Sequence, residues 1–190
     1  MNKIKRFFIK RQKRKEYKES IYNHKKLILK AFYEMMECPE LEKIIYDPDI
    51  LSPLWYRALE HDDSKYEKDE FEPYRKKYYP VDEQEKKSNY TAYRKALYHH
   101  LSTNDHHWQY RQNYPDIELD LETKLACLEN LLDWMARGYE FGNRPYQYYE
   151  ANKKHIKLPS KQREFIEKLI YEGVDKKYVE SSNNCSNRNM

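Results

Sequence analysis

The chain has 190 residues, 36% of them charged and 39% hydrophobic, with a formal net charge of +4. That length suits one domain with a single good core, and 15% aromatics, including twenty tyrosines, exclude a disordered chain. Gly138, Gly142 and Gly173 are the only glycines, so a Walker loop or a Rossmann glycine turn is excluded and tight hairpins are disfavoured.

The expected fold class is therefore all-α, a helical bundle. Residues 1–18 carry nine Lys or Arg against the single Glu16, a charge of +8 that leaves −4 for the rest. This basic arm reads either as a solvated helix start or as a contact for a polyanion, nucleic acid or an acidic membrane surface. The first long helix is expected over 17–37, with Ile21, Leu27, Leu29, Ala31, Phe32 and Met35 on its apolar side, His24 in its first half and Pro39 as its stop. Ser52-Pro53 predicts a helix start with Ser as N-cap and Pro in the first turn, running to about Asp63. Arg57, four residues before His61, shares its face. A polar connector with Phe71, Pro73 and Tyr74 leads to Pro80, and Ser88 would cap a helix over 89–103.

After Pro115, the pattern Leu121, Leu125, Leu128 and Leu132 predicts an amphipathic helix over 119–137, closed by Gly138. A Tyr-rich segment, 139–149, reads as a loop and short helix. A last helix begins near Pro159 and uses Phe165, Ile166, Leu169 and Ile170 before Gly173. The expected organisation is an arm over 1–18, a helical domain over 19–180 and a disordered tail over 181–190. No apolar run approaches the ~20 residues needed to span a membrane, and no signal-peptide h-region is seen. Cys38, Cys127 and Cys185 are scattered and suit a reducing compartment, so the expected location is cytoplasmic.

The chemistry concentrates in the histidines. His61-Asp62 supplies two ligands of different hardness to one divalent cation, and Lys65, three residues after Asp62, can neutralise a bound anion. His99, His100, His106 and His107 fall within nine residues, a cluster expensive as core and uncommon as mere surface. Glu129 and Asp133 stand one turn apart beside the leucine stripe. They read as an ordinary charged boundary, or as a carboxylate ligand, Asp133, supported by Glu129.

In order, the candidates are His24, His61-Asp62, His99 or His100, His106-His107 and Asp133. This order resembles the HD-domain superfamily of metal-dependent phosphohydrolases, whose pattern is H…HD…D in a helical bundle. The fuller pattern, H…HD-x-x-K…H…HH…D, resembles the subset holding two or more metals. The run from His61 to Phe71, with Asn104-Asp105-His106-His107 and Asp133-Trp134, is similar to a poorly characterised HD-like family of bacteria and phages. The resemblance covers about residues 20–175. It implies that His24, His61, Asp62 and Asp133 hold a first metal, and that His100, His106 and His107 serve a second with Asp62 bridging. Lys65 and Arg57 would face substrate phosphate. The chain departs from the pattern in having Ser64 where glycine is frequent, and the register between His99 and His100 is open.

The expected activity is hydrolysis of a nucleotide or related phosphate ester by a metal-activated hydroxide. A bound divalent ion lowers the pKa of its water to about 7, and two ions clamp the attacking and leaving oxygens. Histidine and carboxylate suit Mn, Fe, Co, Ni or Zn, with zinc less favoured because no cysteine joins the cluster. Two rivals stand beside this reading. Arg94-x4-His99 resembles the R-x4–6-H motif of the all-helical, metal-free HEPN ribonucleases. A non-enzymatic protein docking on nucleic acid through its arm is the other.

Overall fold

The computed structural model describes residues 2–115 and 119–187, the last six by backbone alone. Its class is all-α, with no strand among the described residues. The first helix, α1 (Lys3–Met36), is one rod of 34 residues without Gly or Pro, its start capped by the Asn2 side chain accepting from the Lys5 amide at 2.8 Å. The basic arm is thus the first half of α1. Arg6, Lys10 and Arg14 reach Asp82 and Glu72 on the body. Such exposed pairs are each worth at most about 1 kcal/mol, so they orient the arm more than they hold it.

A short turn leads to α2 (Glu42–Ile45) and α3 (Pro48–Glu60). The start of α3 differs from the expected Ser52-Pro53. Asp47 caps it, accepting from the Asp49 amide at 2.9 Å, and Pro48 takes the first turn. Pro53 lies inside the helix, where it leaves the carbonyl of Asp49 unserved; Asp49 is exposed, so water can replace the lost bond. The same device permits α4 (Lys68–Tyr78), which the sequence reads as a connector: Pro73 faces the exposed Asp69, while Glu70, Phe71, Tyr74 and Arg75 are buried.

Next come α5 (Glu83–Ser88), capped by Asp82, and α6 (Tyr90–Thr103). Ser88 does not cap α6: its hydroxyl donates back to the Glu85 carbonyl at 3.1 Å. The short α7 (Trp108–Arg111) precedes α8 (Leu121–Phe141), capped by Asp120. Gly138 lies within α8, and the left-handed closing residue is Gly142, at φ 74°. The chain continues through α9 (Pro145–Asn152), α10 (Ser160–Lys168), a wide turn over Leu169–Val174 kinked at Gly173, and α11 (Lys176–Asn187). The last of these crosses most of the segment expected to be a disordered tail; residues 188–190 lie outside the described ones. No helix among the described residues is long and apolar enough to cross a membrane.

Two buried clusters form the interior. The larger joins Ile28, Phe32 and Met35 of α1 to Leu54 of α3, Leu128 and Leu132 of α8, and Ile166 of α10. The smaller joins Tyr17 and Ile21 of α1 to Phe71 and Tyr74 of α4 and Ala96 of α6. On α1 the buried run Tyr17, Ile21, His24, Ile28 keeps helical spacing across both clusters. His24 therefore sits at the seam between them, and that seam is polar.

Gly138 tests the packing of α8. In an open helix interior, Gly→Ala gains about 1 kcal/mol from propensity. Here an added Cβ would collide with the Asn143 carbonyl oxygen, whose loop is pinned by the Asn143 amide on the Gly138 carbonyl at 3.1 Å. Backbone cannot give as a side chain can, so Gly138→Ala should destabilise by about 1–3 kcal/mol in a thermal or urea melt.

Candidate metal centre

Five segments bring their imidazoles and carboxylates to the seam, the last being α8 with Asp133. From α1 comes His24. The end of α3 supplies His61, the residue after the last helical turn, and then Asp62 in the left-handed region at φ 61°. Asp is among the few residues that accept this conformation, and it turns the chain so that α3 does not run to Asp63 as expected. On α6 the inward stripe Ala96 and His100 is buried, while His99 points outward, 44% exposed, with its Nδ1 2.8 Å from Glu70. Of the two, His100 is the one whose ring joins the buried group. His106 and His107 lie in the loop before α7. That loop is tied to α8 by the buried Arg111, which donates to the His106 carbonyl at 3.3 Å and to Asn130 at 3.0 Å.

The ligand-type atoms fall into two groups that share a border. His24, His61 and Asp133 form one, and Asp62, His100, His106 and His107 the other, each with its atoms within 4.8 Å of one another. Asp62 faces both: Oδ1 is 3.1 Å from His100 Nε2, and Oδ2 is 3.8 Å from His24 Nε2 and 3.7 Å from His61 Nε2. The Nε2 atoms of His24, His61, His100, His106 and His107, with Asp62 Oδ1 and Asp133 Oδ1, are buried without a hydrogen-bond partner. His24 Nε2 and Asp133 Oδ1 approach to 3.1 Å yet are not aligned as donor and acceptor. Seven buried polar atoms converging without partners would be costly in a chain meant to stay empty there. These buried groups could hold a metal ion.

The rear nitrogens are satisfied, and by carboxylates. Glu129 Oε1 lies 2.8 Å from His61 Nδ1 and 3.1 Å from His106 Nδ1. Glu70 Oε2 lies 2.9 Å from His100 Nδ1, and Glu140 Oε1 3.3 Å from His24 Nδ1. A carboxylate behind Nδ1 fixes the tautomer that leaves Nε2 free to ligate. Glu129 can also be grouped with His61 and His106 as a ligand, but its oxygen meets their Nδ1 atoms, behind the rings.

Electrostatics follow the same plan. Burial alone would raise Asp62, but Lys65, His61 and His100 outweigh it and hold the carboxyl well below its ordinary value. Asp133 is likewise depressed, burial being overcome by His24, His61 and Arg137, and so is Glu129, through His106 and His61. Burial lowers His24 and His100, but Asp133 and Glu140 in the first case, and Asp62 and Glu70 in the second, raise both. His107 has no such partner; burial and its neighbours His106 and His100 push it well down.

Lys65 lies beside Asp62 Oδ2, on the site. Arg57 does not line the cavity that opens there. It turns to Glu129, at 2.8 Å, and to Asp105, because those acids hold it behind His61. The cation that does line the cavity with Lys65 is Arg137. Arg94 is exposed on α6, while His99 is engaged by Glu70.

Sequence reasoning missed Glu70, Glu140 and Arg137. The last two carried a signal: Glu129, Asp133, Arg137 and Glu140 follow at helical spacing along one face of α8. Glu70 had none, because its role depends on α4, read as a connector. Glu70→Gln should lower metal affinity or activity about 10–100-fold while the fold persists, measured by metal titration beside circular dichroism.

The model of one protein family, described as Family of unknown function (DUF5662), matches residues 13–178 of this chain. No curated protein and no solved structure matches it.

Proposed function

The chain belongs to this family of unknown function, and for it we propose a metal-dependent phosphohydrolase acting on a nucleotide or related phosphate ester. The observation that carries the reading is the set of seven unpartnered buried atoms, five imidazole nitrogens and two carboxylate oxygens, in two groups joined at Asp62. His24, His61 and Asp133 would hold one divalent ion, and His100, His106 and His107 a second, with Asp62 between them. Nitrogen and oxygen donors without thiolate suit Mn, Fe, Co, Ni or Zn. When bound, such ions supply hydroxide near neutral pH and offset charge on the phosphoryl oxygens.

The protein's own groups have distinct tasks. Glu129, Glu70 and Glu140 keep the rings oriented. Lys65, beside Asp62 Oδ2, exchanges that oxygen for one on the incoming phosphoryl group. Arg57 keeps Glu129 in place rather than touching phosphate. The exposed cations of residues 1–18 form a secondary contact for polyanions, sensitive to salt.

The test is a screen of phosphate esters against the purified protein, with elemental analysis and with chelator. Bound transition metal and chelator-sensitive phosphate release are expected. Phosphodiester cleavage of RNA that survives chelation would replace this reading with the metal-free ribonuclease one. Lys65→Ala should retain metal but lose about 100-fold in kcat/KM, the size of one lost electrostatic donor.

A further inference from the structure

The outer face of α1 has no part in the metal centre. The inner face is fixed by the buried run Tyr17, Ile21, His24 and Ile28. The cations that continue that side toward the start of the helix, Arg6, Lys10 and Arg14, are taken up by Asp82 and Glu72 of the body. Ile4, Phe7 and Phe8 stand at i, i+3 and i+4, so they share one face, centred away from the buried run. They are 70%, 63% and 61% exposed. Among the described residues, the one ring contact of either phenylalanine is with the other, at 5.7 Å between centroids.

The same outer stripe continues at helical spacing through Arg11, Lys15, Tyr22 and Lys26, all exposed. Arg11 and Lys15 have no acid partner among the described residues, and Lys26 lies over the Tyr22 ring at 4.4 Å. Glu19 is the acid that stands beside this row. The stripe thus begins apolar, between Lys3 and Lys5, and turns cationic. Single exposed apolar side chains are ordinary, but three adjoining ones leading into unpaired cations form a contact surface with two chemistries.

We propose that α1 docks this chain on an anionic lipid surface. Ile4, Phe7 and Phe8 enter the boundary between headgroups and acyl chains, while Arg11, Lys15 and Lys26, with Lys3 and Lys5, meet the lipid phosphates. This deepens the polyanion contact given above for residues 1–18 and does not depend on the hydrolase reading. A nucleic-acid backbone would satisfy the cations and leave Ile4 in water, whereas a lipid interface takes both chemistries. Charge also sets the orientation. Residues 1–18 carry +8 and the remainder −4, so an anionic surface attracts the first part of α1 and repels the rest.

The test sediments the full chain with vesicles of phosphatidylcholine alone and with vesicles that also contain phosphatidylglycerol. Binding of a single-stranded oligonucleotide is measured beside it by fluorescence anisotropy. The anionic vesicles should be favoured at least about tenfold, since each cation near such a surface contributes about fivefold. Added salt should weaken that preference. A Phe7→Ser, Phe8→Ser double variant changes exposed side chains and should keep its helical circular dichroism. It should partition into anionic vesicles at least about tenfold less, through the lost burial of two rings, while its oligonucleotide binding stays unchanged. An Arg11→Glu, Lys15→Glu double variant should lose both. Vesicle binding that the phenylalanine variant leaves unchanged would reduce α1 to a charge contact and overturn the lipid assignment. Oligonucleotide binding without vesicle binding would give this face to nucleic acid and overturn it too, with the polyanion contact kept. Neither ligand bound at low salt would overturn the polyanion contact along with it.

Discussion

Asp62→Ala should release metal from both groups and abolish phosphate-ester hydrolysis, the most damaging single change the site admits. Asp62 alone faces both groups: one oxygen meets His100, the other lies near His24 and His61 and beside Lys65. In the metal-free chain the loss leaves the half-buried Lys65 ammonium and the Nε2 side of the buried His100 without their carboxylate. Breaking a buried pair from one side costs about 3–5 kcal/mol, so the variant should also melt earlier. Asp62→Asn separates the causes, because Asn also accepts the left-handed backbone and nearly keeps the volume but lacks the charge. It should fold better than Asp62→Ala and still bind metal poorly. Full metal occupancy in an Asp62→Ala, His61→Ala double variant, by elemental analysis, would sink the two-group scheme.

Removing metal should eliminate activity and make stability depend on pH in a stated direction. In the metal-free fold His24 and His100 carry raised values. Their contribution is fully present below the ordinary imidazole value of 6.5 and is lost as pH rises through the raised values. Asp62 and Asp133 are depressed, so their contribution is present above the ordinary 3.8 and lost only in strong acid. His107, depressed, opposes folding only below 6.5. Chelated protein should therefore lose thermal stability from pH 6.5 upward. Metal works the other way, since it must displace protons from the same rings. The metal-induced stabilisation, and with it the rise in Tm, should grow between pH 6 and 8, the stabilisation being about 2.7 kcal/mol where metal stands at 100 times its Kd. A Tm increment that shrinks over that span would contradict the assignment of His24 and His100.

The residues that meet at the seam were largely legible in the sequence, because ligand types are rare and their order along the chain is informative. His24, His61, Asp62, His100, His106, His107, Asp133 and Glu129 are all brought together. Element boundaries were less legible where two signals competed. The structure starts α3 at Asp47-Pro48 rather than at the expected Ser52-Pro53, and the exposure of Asp49 is what lets Pro53 sit inside the helix. Likewise Pro73 hid α4, and with it Glu70. The resemblance implied that Arg57 faces phosphate, and its spacing from His61 placed it on the same face, but spacing along a helix fixes a face and not the neighbour across it. The acids Glu129 and Asp105, distant in sequence, claim it. Arg137, one turn beyond Asp133, lines the cavity instead.

The wide scatter of the site along the chain also bears on time. His24 and Asp133 are separated by more than a hundred residues, and no two successive candidate ligands except His61-Asp62 and His106-His107 are adjacent in the chain. A disordered chain would have to close several long loops before it could offer a complete set of donors, so an ion held there would be a property of the assembled protein. The binding energy of such an ion would fall late on the folding route, and interactions that form late govern the rate of escape. A cell could thus clear the unloaded chain quickly through its proteases while the loaded one persists, making cofactor supply a control on abundance.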